Sequence, residues 1–290
     1  MKKKLHLKLK KRRPNRSRGG DILIYSILII FGVFMGFPLV YAINSAFKPL
    51  DEIFVYPPRL FVQNPTTDNF QDLVVILGQS WVPFTRYLFN TLFITVVGTA
   101  GHIVVSSMGA FVLAKFDFPG GRTFFNIVTT ALMFNAYVTA IPNYLIMARL
   151  HWVDTVWAIV VPAIAAPMGL FLMKQYMESI PDALIDAATI DGANLWKTFT
   201  KIVMPTVKPA WLTLMIMSIQ SLWNNPASTY IYSEELKTLP YAMQQIAGGG
   251  IARAGVGSAV ALVMMIVPIT AFIILQSNVM ETMASSGIKE

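Results

Sequence analysis

Six apolar runs, each about as long as a lipid bilayer is thick, set the limits on what this chain can fold into. A helix of about 20 mostly apolar residues crosses the hydrocarbon core of a membrane. Charged residues make up only 13% of the 290 residues and the mean hydropathy is +0.57, whereas soluble domains carry roughly 25% charged residues. The sequence therefore predicts an all-α membrane protein with six transmembrane helices. They are placed at residues 22–43, 88–113, 124–147, 156–175, 209–224 and 257–280.

Basic residues are concentrated at the N-terminus. Ten of the 23 Lys and Arg lie in residues 2–18, and the remaining 13 stand against 15 acidic residues. Such a tail can bind nucleic acid, but beside a first span it more often stays in the cytoplasm, where anionic lipid attracts it. We therefore predict a basic cytoplasmic tail, residues 1–20, followed by one membrane domain, residues 21–290. Alternation of six spans then places both termini in the cytoplasm.

Motifs for nucleotide, metal and cofactor chemistry are absent from the sequence. The segment "GANLWKT", residues 192–198, comes near a Walker A loop, but Trp196 stands where that motif needs a glycine. The three His are scattered and Cys is absent, so no metal cluster is expected. An ion-coupled transporter would need paired carboxylates inside the spans, and a membrane enzyme would need a catalytic cluster. The sequence offers neither, and we predict no catalytic residue and no cofactor.

One polar segment between the fourth and fifth apolar runs differs from its surroundings. It reads "DAATIDGANLWKTFTKIVMP", residues 186–205. Ser179 can cap a helix with Pro181 in its first turn, and Gly192 can end that helix because glycine adopts positive φ at little cost. A second helix then stops before Pro205. The predicted structure is a helical hairpin in the cytoplasm.

The apolar residues of this hairpin are spaced to share one face. They are Leu184, Ala188, Leu195, Phe199 and Ile202. The pattern leaves two interpretations open. The hairpin can lie flat on the membrane with Trp196 and Phe199 in the headgroup region, or it can dock onto a soluble protein.

The hairpin resembles the EAA motif of ABC importer permeases, which reads Glu-Ala-Ala, then Asp-Gly-Ala, then hydrophobic residues before a proline. The corresponding residues here are Asp186-Ala187-Ala188, Asp191-Gly192-Ala193 and Ile202-Val203-Met204-Pro205. Asp186 replaces the usual Glu and keeps the charge on a shorter side chain. The segments "FKPLDEIFVYPP", "AIPNYLIMARLHWVDTVWAIVVP" and "SSGIKE" are similar to the carbohydrate branch of this family, most of all to the second permease of maltose-type transporters.

The resemblance implies a multi-pass permease subunit of the bacterial inner membrane that imports sugars, most of all oligosaccharides, and has no ATPase site of its own. It implies four partners besides membrane lipid: a second, different permease, two ATPase subunits and an extracytoplasmic sugar-binding protein. No nucleic acid is implied. The hairpin becomes the coupling helix that contacts an ATPase. The residues expected in that contact are Asp186, Ala187, Ala188, Asp191, Gly192, Ala193, Trp196 and Pro205. A permease for another solute, such as a polyamine, is the alternative, because the motif is shared.

Two further groups of residues are candidates for function. Sugars bind to amides, hydroxyls and flat apolar faces, and the first group supplies these for a substrate pathway: Asn135, Tyr137, Asn143, Gln220, Trp223 and Asn224. The alternative is hydrogen bonding between helices and an aromatic belt at the interface. The second group lies in an outside loop, residues 239–255, that reaches the binding protein in the resembling permeases, or else is a simple connector. It comprises Gln244, Gln245, Gly248, Gly249 and Gly250.

His102 stands within the second apolar run. Gly98, His102, Ser106 and Ala110 recur every four residues, a spacing that predicts a face for close helix packing. An ionisable group inside a membrane is a candidate for function, such as a proton relay. The small neighbours favour instead a neutral histidine that is hydrogen-bonded between helices.

Overall fold

The computed structural model describes residues 18–78, 82–250 and 253–286, and the regular elements in these ranges are helical. The predicted all-α class is confirmed. The tail residues 1–17, and the residues 287–290 of "SSGIKE", lie outside the described residues. The helices are α1 Arg18–Ala46, α2 Leu50–Ile53, α3 Asp68–Gly78, α4 Phe84–Lys115, α5 Gly121–Ala131, α6 Ala136–Arg149, α7 Trp157–Ile164, α8 Pro167–Glu178, α9 Asp182–Ile190, α10 Leu195–Thr198, α11 Met204–Thr206, α12 Lys208–Trp223, α13 Leu239–Ala247 and α14 Ala254–Ser286.

Four helical stretches in the described part of the chain are long and apolar enough to cross a membrane. They are Gly19–Ala46, Phe84–Lys115, Trp157–Glu178 and Ala254–Gln276, and they match the first, second, fourth and sixth predicted runs. The fifth run lies on α12, which meets the stretch Leu195–Thr206 at a bend of 77°. Counting this bent pair as one span gives five.

The third predicted run, residues 124–147, is divided between α5 and α6. Asn135 stands at the N-cap of α6, where its Oδ1 accepts a hydrogen bond of 2.9 Å from the backbone N–H of Tyr137. An Asn side chain that bonds the backbone in this way favours a helix start over a helix interior. The continuous third helix is therefore not found, and residues 132–135 form the break.

Helix α4 is the centre of the bundle and packs against α7, α8 and α12. Its predicted face of Gly98, His102, Ser106 and Ala110 is buried. The Nδ1 of His102 lies 2.9 Å from the Oγ of Ser218, and its Nε2 lies 3.1 Å from the carbonyl oxygen of Ala166. Both ring nitrogens therefore have partners, one on α12 and one at the N-cap of α8, as expected for a histidine bonded between helices.

Buried side chains cluster along the whole length of α4. Tyr87 at its start packs with residues of α3, α13 and α14, Ile94 packs with α7 and α12, and Phe111 near its end packs with α8 and the predicted hairpin. A 32-residue helix is about 48 Å long. The hairpin therefore lies at one end of the bundle and α13 at the other.

Candidate functional site

The hairpin begins at Pro181, which occupies the N-cap of α9. The prediction that Ser179 caps this helix is wrong. Ser179 belongs instead to the end of α8, where its Oγ donates a hydrogen bond of 2.7 Å to the carbonyl oxygen of Tyr176. Its hydroxyl is thereby used by the helix before the hairpin.

The turn between the two arms of the hairpin depends on Gly192, which has a φ of +76°. Its N–H bonds to the carbonyl oxygen of Thr189 at 3.0 Å, and the N–H of Ala193 bonds to that of Ala188 at 2.9 Å. These two bonds form a Schellman motif, which satisfies the last carbonyls of a helix and reverses the chain. The prediction that Gly192 ends the helix is confirmed, and its φ is one that other L-residues adopt only with strain.

The second arm starts where Asn194 caps α10, since its Oδ1 accepts a hydrogen bond of 2.8 Å from the N–H of Lys197. A π-helical turn, Phe199–Val203, follows, and the arm runs through Pro205 to Thr206. The prediction that this helix stops before Pro205 is wrong. Pro205 lies in the first turn of the short α11, where a missing N–H does little harm, and the chain bends after it.

The apolar residues of the hairpin do not share one face. Of the predicted stripe, Ala188 and Phe199 are buried, with 6% and 7% of their surface exposed, and Ile202 is half-buried. Leu184 and Leu195 are 47% and 59% exposed, and the neighbouring Trp196 is 61% exposed. Leu195 and Trp196 lie near the turn, and Phe199 lies one helical turn closer to α4 and α8. The predicted single stripe is therefore split between the core of the bundle and the surface.

The exposed residues near the turn form what we call the tip surface. It combines apolar and polar side chains with two carboxylates and one amine, and it comprises Asp186, Ala187, Thr189, Ile190, Asp191, Gly192, Asn194, Leu195, Trp196 and Lys197. Pro205 is also exposed, Ala193 is half-buried and Ala188 points into the core. The carboxylate of Asp186 forms no ion pair within residues 18–78, 82–250 and 253–286. An exposed apolar patch with a polar rim is typical of a contact with another protein.

Five of the six candidate substrate-pathway residues are exposed, and one is buried. Asn135, Tyr137, Asn143, Gln220 and Asn224 are exposed, and Asn224 donates to the carbonyl oxygen of Gln220 at 2.8 Å within its own helix. Trp223 is the exception. It is 2% exposed, and its Nε1 donates to the carbonyl oxygen of Met264 at 3.0 Å. Trp223 thus joins α12 to α14 and offers no free ring face in this structure.

The segment predicted as an outside loop contains a helix. Leu239, Met243 and Ile246 of α13 are buried, because this spacing places them on one face that packs against α14. Exposed residues follow on the other face and in the turn after the helix. They are Gln244, Gln245, Gly248, Gly249 and Gly250.

One polar contact that sequence reasoning missed joins the turn before α7 to the segment before α13. Oδ1 of Asp154 accepts hydrogen bonds from the N–H groups of Tyr232 and Ser233, at 2.9 and 2.8 Å, and Oδ2 accepts one from the Ser233 hydroxyl. The Ser233 hydroxyl and N–H, followed by the Tyr232 N–H, hold the pKa of Asp154 below its ordinary value. Asp154 has a φ of +60°, and the only local signal was an Asp in a turn.

In the described residues, no group of three His, Asp or Glu is placed to hold a metal ion.

The hairpin lies inside the region of the chain that matches a known protein family. Residues 103–283 match the family described as binding-protein-dependent transport system inner membrane component. The chain belongs to this family. It is therefore a multi-pass permease subunit of the inner membrane and not an enzyme.

Several relatives of known name match this permease over similar lengths of sequence. It is 31% identical over 215 residues to the arabinooligosaccharides transport system permease protein AraQ of Halalkalibacterium halodurans, which covers 71% of this chain and 74% of the relative. It is 27% identical over 225 residues to the polygalacturonan/rhamnogalacturonan transport system permease protein YtcP of Bacillus subtilis, with 78% and 76% covered. It is 30% identical over 211 residues to the sn-glycerol-3-phosphate transport system permease protein UgpE of Yersinia enterocolitica, with 71% and 74% covered.

A solved structure shares the fold of this permease. The match is to a chain of a bacterial ABC transporter involved in the import of the acidic polysaccharide alginate, with a TM-score of 0.75 and 24% identity. It covers 91% of this permease and 99% of that chain. The arrangement of helices around α4 is therefore that of an ABC transporter permease.

Proposed function

We propose that this permease is one half of the pathway of an ABC importer for a carbohydrate, most of all an oligosaccharide. It pairs with a second, different permease subunit, couples to two ATPase subunits and receives its substrate from an extracytoplasmic binding protein. The observation that carries the proposal is the tip surface: a helical turn, closed by a Schellman motif, that exposes Trp196, Leu195 and two carboxylates at one end of a membrane bundle.

The proposed topology has six spans, with both termini and the hairpin in the cytoplasm. The basic tail supports a cytoplasmic N-terminus. Helices α5 and α6 together supply the third span, broken at the cap of Asn135, and α12 supplies the fifth span after the bend at Val207. Broken helices are tolerated in a membrane where protein or a water-filled cavity surrounds the free backbone groups.

The tip surface has the composition of a protein contact. Trp196 supplies a large exposed aromatic side chain of the kind that dominates binding energy, and Asp186 and Asp191 can pair with basic groups of an ATPase at its rim. At Gly192 the missing side chain lets a partner's backbone approach. For ATP to favour one conformation of the pathway, the hairpin has to move as one body with the spans. The burial of Phe199 and Val203 in the bundle supports such movement.

The substrate assignment is supported by the relatives. One is named for the transport of arabinooligosaccharides, one for that of polygalacturonan/rhamnogalacturonan, and one for that of sn-glycerol-3-phosphate. A phosphorylated polyol is therefore the second candidate. In the sugar importer, Asn135, Tyr137, Asn143, Gln220 and Asn224 offer exposed amides and a hydroxyl to the pathway. Trp223 is not among them, because its ring is buried.

The other end of the bundle is the proposed contact for the binding protein. The residues involved are Gln244, Gln245, Gly248, Gly249 and Gly250, which lie on and after α13. This helix packs near Tyr87 and the hairpin packs near Phe111, which are about 36 Å apart along α4. In the proposed topology α13 faces the extracytoplasmic side, where substrate arrives.

The test replaces Gly192 by Val and uses Gly120→Val as a matched control. Both glycines have positive φ, +76° and +92°, and no described atom lies within 4 Å of a Cβ added to either. Each variant therefore carries a similar backbone strain of about 1–3 kcal/mol. Gly192→Val should prevent co-purification of the ATPase and stop uptake of the sugar, while Gly120→Val should retain both. Normal assembly and uptake with Gly192→Val would contradict the coupling role.

A further inference from the structure

Lys115, the last residue of α4, reaches the point where α8 passes into the hairpin. Its Nζ donates a hydrogen bond of 2.5 Å to the carbonyl oxygen of Ile180 and lies 2.7 Å from Oδ1 of Asp182. The Lys115 side chain is only 4% exposed, whereas that of Asp182 is 81% exposed. The amine thus contacts both the linker before α9 and the first residue of α9.

The carbonyl of Ile180 needs a donor from outside its own segment. Ile180 is 3% exposed, and the first backbone bond of α9 is accepted by the next residue, Pro181, from the N–H of Leu184. A buried carbonyl without a donor is costly, and so is a buried ammonium group without an acceptor. Lys115 and Ile180 therefore satisfy each other.

The same end of α4 also holds the second arm of the hairpin. Phe111 lies four residues before Lys115, so the two side chains share a face of the helix. The ring centroid of Phe111 is 5.4 Å from that of Phe199, with an angle of 43° between the planes. A polar contact at the start of one arm and an apolar contact within the other fix the hairpin at two points.

We infer that Lys115 is a positioning residue that ties the hairpin to α4, so that α4 transmits the movement of the hairpin to the rest of the bundle. The inference rests on the proposed coupling function. An alternative is that Lys115 extends its amine to water at the membrane surface, as lysines near helix ends often do. The burial of its side chain and its two acceptors argue against this alternative.

The tie itself is tested on the purified permease in lipid nanodiscs, without ATPase subunits. Lys115→Met keeps the unbranched stem but removes the donor, and Lys115→Arg keeps the charge. Amides of residues 182–206 should exchange hydrogen about tenfold faster in Lys115→Met, and much of the protection should return in Lys115→Arg. Unchanged exchange in Lys115→Met would overturn the tie.

Two further variants complete this measurement. Lys174→Met is the matched control, because Lys174 pairs with Glu178 of its own helix, and it should leave exchange in residues 182–206 unchanged. Asp182→Asn changes an exposed side chain, and it is the alternative test if the Lys115→Met permease does not insert into the membrane. It should raise exchange at the start of α9 by a smaller factor, since the bond to Ile180 remains, and no increase would count against the tie.

The consequence for transport is tested in the reconstituted transporter. Lys115→Met leaves the tip surface intact, so the ATPase should still co-purify. The number of ATP molecules hydrolysed per sugar imported should rise severalfold, and Lys115→Arg should restore the normal ratio. A normal ratio with a loosened hairpin would overturn the role of Lys115 in transmission while leaving ATPase docking at the hairpin in place. Failure of the Gly192→Val test, in contrast, would remove the docking proposal itself.

Discussion

The ring of Phe111 on α4 lies 5.4 Å, centroid to centroid, from the ring of Phe199 in the second arm of the hairpin. Phe199 also lies 5.7 Å, centroid to centroid, from the ring of Trp196. The three aromatic rings lead from the exposed turn into the core, since Trp196 is 61% exposed and Phe199 is 7% exposed. A hairpin lying flat on the membrane would place both Trp196 and Phe199 in the headgroups, and Phe199 is buried in protein instead.

The first prediction separates these two neighbouring rings. Phe199→Ala should lower the free energy of unfolding of the permease by about 3–5 kcal/mol, because it leaves a cavity in the core. Trp196→Ala should change it by no more than about 0.5 kcal/mol yet abolish ATPase binding. Thermal unfolding of the purified permease and co-purification of the ATPase measure the two effects. Normal ATPase binding by Trp196→Ala would count against the proposed contact.

The second prediction concerns the packing of α8 against α4. A Cβ added to Gly169 would lie 2.2 Å from Nε2 of His102 and 2.4 Å from Oγ of Ser106. Because hydrogen bonds to Ser218 and Ala166 hold the His102 ring, Gly169→Ala should destabilise the bundle by about 1–3 kcal/mol.

Gly109→Ala is the control for this prediction. Its Cβ would meet the end of the Leu170 side chain at 3.0 Å, and a leucine methyl group can move with a small change of rotamer. Thermal unfolding should therefore show a clearly smaller loss of stability for Gly109→Ala than for Gly169→Ala. Equal losses would mean that the His102 contact does not restrain the packing of α8.

Local signals made part of this structure predictable. Long apolar runs lead to α1, α4 and α14 because length and hydropathy alone set the cost of placing a helix in lipid. The role of Gly192 as the end of the helix was equally predictable, since the need for positive φ concerns a single residue. The small residues that recur every four positions around His102 indicated a packing face, because their spacing is a property of one helix.

Contacts between distant residues were not predictable. Lys115 and Asp182 are 67 positions apart, and Asp154 and Ser233 are 79 positions apart. No local sequence pattern therefore predicts either contact. Trp223 has the composition of a sugar-binding residue, and only the packing of α12 on α14 shows that its ring is buried. The cap at Asn135 was missed because an Asn in an apolar run also suits hydrogen bonding between helices.

The third prediction tests the topology. A reporter that is active only in the cytoplasm should be active when fused after Glu290, and one fused after His151, in the turn between α6 and α7, should be inactive. The second fusion tests the broken third span directly, because a segment 121–149 that returned to the cytoplasm would place His151 inside. Cytoplasmic activity at His151 would therefore reduce the number of spans.

The fourth prediction concerns the contact between Asp154 and the segment before α13. The pKa of Asp154 is lower in the folded protein than its ordinary value because of the Ser233 hydroxyl and N–H and the Tyr232 N–H. A carboxylate with a lowered pKa contributes stability above its unfolded pKa, roughly 3.9, and loses that contribution as the pH falls through the folded pKa. The contact should therefore be constant from neutral pH to about pH 5 and weaken below about pH 4.

Hydrogen exchange at the amides of Tyr232 and Ser233, corrected for the intrinsic pH dependence, measures this contact. Asp154→Asn is the appropriate comparison, because Asn tolerates the positive φ of this position and keeps a side-chain oxygen acceptor but does not ionise. At neutral pH the Asp154→Asn variant should protect both amides less than the native carboxylate does, since hydrogen bonds to a charged acceptor are stronger. Its protection should also stay constant as the pH is lowered. If protection fell with pH equally in the native permease and in the variant, titration of Asp154 would not be the cause.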